Sequence, residues 1–233
     1  MRYLQTSIVV SSLFLLSITS CREITSKKRI KEGVIKYEIT YDSATSKKMD
    51  IRLLPSSLIV KFKDNNTLNT IDAFSGAISI SIISNHVNQQ FVTLVKVFNK
   101  KLYHEEPNTD GKYPALYAKI PSVKIISNQE PCKFLTYRCY KAKGYFADRP
   151  DSEFEIIYTK DIDINAPNIN TPFEEIDGVL LAFNLRINSL MMRLEAKSVK
   201  KVKISDDTFS IPQDYTPVRS EEHTSELQSR SDL

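Results

Sequence analysis

Glycine and histidine are scarce in this chain, and tryptophan is missing. The 233 residues include five glycines, three histidines, three cysteines and no tryptophan. Successive glycines lie at least 33 positions apart, whereas dinucleotide-binding loops, P-loops and nucleophile elbows each need two or more glycines within a few residues. Three cysteines are too few for a four-cysteine zinc site. The composition therefore excludes these nucleotide-binding, hydrolase and zinc motifs.

Charge gives little sign of a nucleic-acid partner. The 32 Lys and Arg residues nearly balance the 28 Asp and Glu residues, which leaves a formal net charge of +4. The densest basic clusters lie at residues 27–31 and 197–203, and neither is interleaved with aromatic residues. Because nucleic-acid binding needs a concentrated basic surface, we expect no nucleic-acid partner.

The first 20 residues have the pattern of a secretory signal peptide. Arg2 supplies a positive charge, and residues 8–18 form an apolar run that is interrupted by serines. Such a short run is typical of a signal peptide and not of a membrane-spanning helix. The run ends at Ile18-Thr19-Ser20-Cys21, which resembles the lipobox of bacterial lipoproteins. The resemblance implies removal of residues 1–20 and lipidation of Cys21; the alternative is an ordinary signal peptide in which Cys21 is incidental.

Residues 21–32 are polar and charged, and we interpret them as a lipidated tether. Acyl chains on Cys21 would anchor the protein permanently, since each buried methylene contributes about 0.8 kcal/mol. Arg22 follows the cysteine where an inner-membrane retention signal has Asp. We therefore expect the chain to be anchored to outer-membrane lipid through Cys21 and to face the periplasm.

The last residues, 219–233, resemble a translated adapter from sequencing libraries and lack any hydrophobic periodicity. We expect this segment to be disordered. His223 lies in it and is therefore not a candidate site residue.

Residues 33–218 have the pattern of a single β-rich domain. From Gly33 onward, apolar Ile35, Tyr37, Ile39 and Tyr41 alternate with polar residues, which predicts a half-buried strand. Turn residues then separate further strand-like runs, at 58–62, 67–74, 77–83, 91–98, 101–105, 123–127, 134–146, 154–159, 179–187 and 191–204. This succession predicts a mainly β fold: a curved antiparallel sheet, half-barrel or sandwich-like.

Two stretches depart from the strand pattern. Residues 42–54 have no period-two alternation and predict one or two short helices before Pro55. Residues 107–121 contain three prolines and a glycine, and they form the longest irregular connection in the sequence. We expect this connection to cover one mouth or edge of the sheet.

Four motifs resemble the uncharacterised DUF4412 and GLPGLI-type envelope families. They are Gly33-Val34-Ile35-Lys36-Tyr37, Tyr137-Arg138-Cys139-Tyr140-Lys141-Ala142, Ile157-Tyr158-Thr159-Lys160-Asp161-Ile162, and Ile176-Asp177-Gly178-Val179-Leu180-Leu181. The last motif lacks the Leu-Pro-Gly of the signature, and Tyr replaces Trp in the third. The resemblance implies a half-barrel lipoprotein carrier in which a curved antiparallel sheet holds an apolar ligand against a helical lid.

Cys132 and Cys139 are the cysteines of this domain. An oxidising compartment favours a disulfide between them. If the seven steps between them form one strand, however, the two side chains lie about 23 Å apart on opposite faces. A disulfide then requires a turn near Lys133. The pattern favours burial of Cys139 beside Leu135 and Tyr137 as the main interpretation.

Other polar residues do not form a recognisable active site. His86 and His104 lie at the ends of strand-like runs without partners at metal-ligand spacing. Asp161 and Asp163 alternate with isoleucines, as on a solvated strand face. No set of nucleophile, base and orienting residue can be assembled, so we expect no enzyme activity, no cofactor and no metal.

The sequence therefore favours a non-catalytic lipoprotein whose concave sheet binds an apolar ligand, such as a lipid or a client lipoprotein. The alternative is a structural or interaction lipoprotein with a filled core. An apolar cavity of several hundred cubic ångströms would favour binding, and a filled interior would favour the structural role. The sequence does not predict the oligomeric state.

Overall fold

The computed structural model describes most of the predicted domain. The described residues are 29–48, 50–85, 89–107, 114–115, 117 and 120–218. The predicted signal peptide, Cys21, His86 and residues 219–233 lie outside them.

Within this part of the chain, twelve strands form one open, curved sheet. In chain order the strands β1 to β12 are Glu32–Tyr41, Ser57–Lys63, Asn66–Ala73, Ile78–Asn85, Gln90–Val97, Lys100–Pro107, Val123–Phe134, Tyr137–Phe146, Glu153–Thr159, Val179–Ile187, Leu190–Lys200 and Thr216–Pro217. Their order in the sheet is β12-β6-β5-β4-β3-β2-β1-β11-β10-β9-β8-β7. Neighbours pair antiparallel, except that the short β12 runs parallel to β6. The mainly β prediction is confirmed, in its half-barrel form rather than as two packed sheets.

Helices are few in the described residues. Helix α1 spans Ser43–Lys48, and short 3-10 turns span Ile51–Leu53, Phe74–Gly76 and Asp206–Phe209. The first two of these elements lie where the sequence predicts a short helix before Pro55.

Strand β1 joins the two halves of the sheet. It pairs with β2 on one side and with β11 on the other. Its buried Ile35, Tyr37 and Ile39 alternate with exposed side chains, which confirms the period-two interpretation. The chain therefore forms one meander, β1 to β6, and a second meander, β7 to β11, that closes on β1.

The strand predicted over 134–146 is wrong at its start. Phe134 ends β7, Leu135 and Thr136 form a two-residue turn, and β8 begins at Tyr137. Leu135 has a φ of 53°, a conformation that normally selects Gly, Asn or Asp. Because neither turn residue has that signature, the sequence gives no sign of the hairpin.

The end of the predicted tether contacts the folded domain. The Ile30 N–H donates to the Asp161 carbonyl at 3.0 Å, and the Asp163 N–H donates to the Ile30 carbonyl at 2.8 Å. Arg29 and Lys31 each approach the Asp163 carboxylate at 3.7 Å. Residues 29–31 are therefore held against the domain instead of forming a free linker.

The segment after β11 covers the outer face of β3 to β6. Its Phe209 packs with Ile83, Val92 and Leu94. Ion pairs tie the same segment to the sheet, from Lys63 to Asp206 and from Lys101 to Asp214. Side chains at alternate positions of β3 and β4 point to the opposite, inner face.

We predict that Gly33→Ala destabilises the junction between the sheet halves. A methyl group at Gly33 would collide with the Lys200 carbonyl oxygen and lie 3.2 Å from the Phe62 ring. Overpacking of this kind costs about 1–3 kcal/mol, so the free energy of unfolding in urea should fall by that amount. Lys36→Ala, at an exposed position of the same strand, is the control and should change it little.

Candidate functional site

An apolar cavity of about 200 Å³ lies against the inner face of the sheet. Its walls are the strands β1 to β4, β10 and β11, together with two connecting segments. The apolar lining residues are Leu58, Val60, Ile71, Ile80, Ile82, Ile120, Ile164, Pro167, Pro172, Phe173, Val179, Leu180, Phe183, Leu185, Ile187 and Leu194. Of the described cavity-lining residues, none is charged.

Strand register builds the sheet wall of the cavity. Tyr37 lies opposite Leu58, Leu58 opposite Ile71, and Ile71 opposite Ile80. Directly opposed residues of an antiparallel pair point to the same face. The alternation along each strand therefore lines up a row of side chains across four strands.

The first covering segment, residues 160–178, connects the neighbouring strands β9 and β10. It places Ile164, Pro167 and Phe173 over the inner face. The Asn168 side chain holds its fold by donating from Nδ2 to the carbonyls of Ile176, at 2.6 Å, and Gly178, at 2.9 Å. The connection is thus an ordered cover instead of a short hairpin.

The second covering segment is the crossover between β6 and β7. These strands lie near opposite edges of the sheet, so the connection has to pass across it. The Ala115 N–H donates to both oxygens of the Glu106 carboxylate at 3.2 Å. Farther along, Tyr117 and Ile120 line the cavity, where Tyr117 lies beside Asn69. The described residues Tyr117 and Ile120 lie on the inner face, as expected of a connection that covers one mouth of the sheet.

The helical lid implied by the family resemblance is wrong for the first cover, residues 160–178, which form turns and irregular backbone, whereas Tyr117 of the second cover has a 3-10 conformation. In residues 160–178, Pro167 and Pro172 lack the N–H that a helix needs. Asn165, Asn168 and Asn170 lie between or beside these prolines, and such side chains compete for backbone hydrogen bonds. The composition of this segment therefore favours turns.

The polar groups around the cavity are neutral. They belong to Tyr37, Thr67, Asn69, Tyr117, Asn168 and Thr171. The Tyr37 hydroxyl donates to the Leu180 carbonyl at 2.6 Å, and burial raises the pKa of both the Tyr37 and Tyr117 hydroxyls. A smaller space of about 30 Å³ adjoins the cavity at Asn65 and Ser84. This arrangement suits an uncharged apolar group with a neutral polar end.

The structure corrects the prediction that Asp161 lies on a solvated strand face. Its side chain is buried, and it accepts hydrogen bonds from the Arg138 backbone N–H at 3.2 Å and from the Arg138 guanidinium at 2.8 Å. Asp161 lies near the start of the first covering segment, so this pair fixes the segment to β8. The ion pair is a structural feature at the edge of the cover.

The cysteines are closer than the single-strand interpretation implies. Because β7 and β8 form a hairpin, Cys132 lies directly opposite Cys139. Cys139 is buried, as predicted, whereas Cys132 is half-buried, and both are free thiols. Burial raises the pKa of Cys139 to about 11.

His104 lies half-buried on β6. In the described part of the chain, no group of three or more His, Cys, Asp or Glu side chains comes together as a metal site. Nor does any described helix have the length and apolar character to cross a membrane.

Comparison with known proteins does not assign this chain to a family. No protein-family model matches it, and no curated protein matches its sequence. The resemblance to the DUF4412 and GLPGLI-type families therefore stays a prediction.

The solved structures that match this chain include two of low identity. PNGF-II is 18% identical with a TM-score of 0.48 over 83% of this chain, which spans about a third (32%) of the PNGF-II chain. LprF from Mycobacterium bovis is 7% identical with a TM-score of 0.27, over 78% of this chain and 90% of LprF.

Sequence reasoning missed the first covering segment and the polar groups of the cavity. The available signal was the gap of 19 residues between β9 and β10, because loops of this length in a compact domain are commonly functional. Asn69 and Tyr117 had no such signal, since their contact joins a strand to a distant connection.

We predict that Tyr37→Phe changes the alkaline stability of the protein. The unfolded tyrosine ionises near pH 10, whereas burial keeps Tyr37 neutral in the folded state. The stabilisation from neutral Tyr37 is complete below pH 10 and is lost as the pH rises above it. Above pH 10, the free energy of unfolding of the wild type should fall by about 1.4 kcal/mol per pH unit more steeply than that of the variant. Urea titrations at pH 8 to 11.5 measure the two slopes; parallel slopes would contradict the prediction.

Proposed function

We propose that this protein is a lipid-anchored envelope protein that binds an apolar ligand in the cavity and does not catalyse a reaction. The observation that carries the proposal is the apolar cavity on the inner face, which two connections cover and no charged described side chain lines. A buried site without charges favours an uncharged, apolar ligand, because an ionised group there would lose its hydration without gaining a partner.

The volume limits the size of the ligand. At about 30 Å³ for a group of the size of water, the 200 Å³ cavity has room for about six or seven such groups. A short acyl segment fits this space, with a neutral polar end beside Asn69 and Tyr117. A whole phospholipid does not.

Filling the cavity tests this proposal. Val60→Trp replaces an isopropyl group by an indole ring at a lining position, and we expect it to reduce the affinity for 1-hexanol, a neutral ligand of the size that the cavity accepts, at least tenfold. Isothermal titration calorimetry of the purified wild type and of the variant measures the two affinities.

Lys61→Gln is the matched control for this experiment. Lys61 is the next residue on β2, points to the opposite face, and is exposed. The control should bind as the wild type does. Equal binding by the wild type and Val60→Trp would contradict the proposal, provided that circular dichroism shows that both are folded.

The second candidate function is a structural or interaction lipoprotein. It is favoured by the cavity volume, since 200 Å³ is smaller than the roughly 300–1,000 Å³ of typical ligand sites. Native mass spectrometry of protein extracted from its own envelope separates the two functions. A co-purifying lipid supports ligand binding, and its absence under gentle ionisation supports the structural role.

The lipid anchor is a separate part of the proposal. We propose that acyl chains on Cys21 hold the protein at the periplasmic face of the outer membrane. This part rests on the lipobox resemblance at residues 18–21. We predict that Cys21→Ser moves the protein from the membrane fraction to the soluble fraction, because the acyl chains supply the membrane affinity. Cys132→Ser should leave the protein in the membrane fraction. Retention of Cys21→Ser in the membrane would contradict lipidation of Cys21.

A further inference from the structure

The hairpin of β7 and β8 brings two thiols together. The pair Phe134 and Tyr137 flanks the turn, Lys133 lies opposite Arg138, and Cys132 lies opposite Cys139. The proximity of the two thiols therefore follows from the strand register and does not depend on a loop conformation.

The geometry of this pair is compatible with a covalent bond. Opposed residues in an antiparallel pair have Cα atoms about 4.5–5.5 Å apart, and disulfides join Cα atoms about 4.4–6.8 Å apart. Both side chains point to the same face because the residues are directly opposed. Little backbone movement is needed to bring the sulfur atoms to bonding distance.

We propose that Cys132 and Cys139 form an intramolecular disulfide that closes the β7–β8 hairpin when the protein meets a disulfide oxidant. The thiolate of Cys132 attacks one sulfur of the oxidant, and a mixed disulfide forms while the oxidant releases one thiolate. Cys139 then loses its proton and attacks the Cys132 sulfur, which releases the second thiolate of the oxidant. Two protein thiols are oxidised, and one external disulfide is reduced to two thiols.

The difference in solvent exposure between the two thiols determines which of them reacts first. Cys132 is half-buried, whereas Cys139 is only 2% exposed and packs in the main core. An external oxidant can therefore reach Cys132, while Cys139 can reach only its partner across the hairpin. The buried thiol serves as the resolving group.

The position of the hairpin gives the bond a structural effect. Among the described strands, β7 pairs with β8 alone and forms an edge of the sheet. The β7–β8 ladder changes register twice, between Ile125 and Ser127 and between Ser127 and Glu130. A disulfide between Cys132 and Cys139 would link the edge strand β7 to β8 at a position between the turn and the two register shifts.

Peptide mapping tests the proposal directly. The full chain is treated with oxidised glutathione, alkylated without reduction and digested with trypsin, which cuts after Lys133 and Arg138. We expect peptide 125–133 to be linked to peptide 139–141, and reduction to separate them. Two alkylated cysteines, lasting mixed disulfides with glutathione, or a link to the peptide that contains Cys21 would each overturn the proposal.

Cys132→Ser keeps the buried Cys139 in place and is the matched control. The oxidised wild type should have a Tm about 5 °C higher than the reduced wild type, because the bond restricts the unfolded chain. Reductant should leave the Tm of Cys132→Ser unchanged. An equal response of both proteins would contradict a stabilising disulfide.

Discussion

The pairing of β1 with both β2 and β11 is the constraint on which the rest of the structure depends. Strand β1 buries Ile35, Tyr37 and Ile39 and hydrogen-bonds on both edges. Without β11, the second meander would be a separate sheet with an unpaired edge. With it, the two meanders share one hydrophobic core, in which residues of β1 and β2 pack with residues of β8 to β11. Gly33 permits the close approach of the Lys200 carbonyl at this junction.

The cavity is a consequence of that closure. Once β11 lies beside β1, β6 and β7 are near opposite edges, and their connection must cross the sheet. Crossing on the inner face puts Tyr117 and Ile120 over the apolar rows, while the segment after β11 covers the outer face with Phe209. The first covering segment supplies Ile164, Pro167 and Phe173 as a further wall. The neutral lining follows from the same burial, because a charge placed there would be costly.

Much of the sheet could be predicted because strand patterns are local. Alternation identified β1, and it located the cores of β2 to β6. The errors have local causes too: Leu135 and Thr136 carry no turn signature, so the strand predicted over 134–146 runs through the turn that pairs Cys132 with Cys139. Asp161 alternates with isoleucine as a solvated residue does, yet its partner Arg138 lies on another strand. The alternation of polar and apolar residues along one segment does not show which residue of another segment contacts them.

The sequence by itself determined the β class and the inward and outward faces of its strands, because these depend on the alternation of neighbouring residues. The tertiary structure decided which strands are neighbours, that two connections cover the inner face, and that Asn69 meets Tyr117 and Cys132 meets Cys139. These contacts join residues through strand register and chain crossing. These contacts are stabilised by burial between segments that are distant in the sequence, so no single stretch of the sequence predicts them.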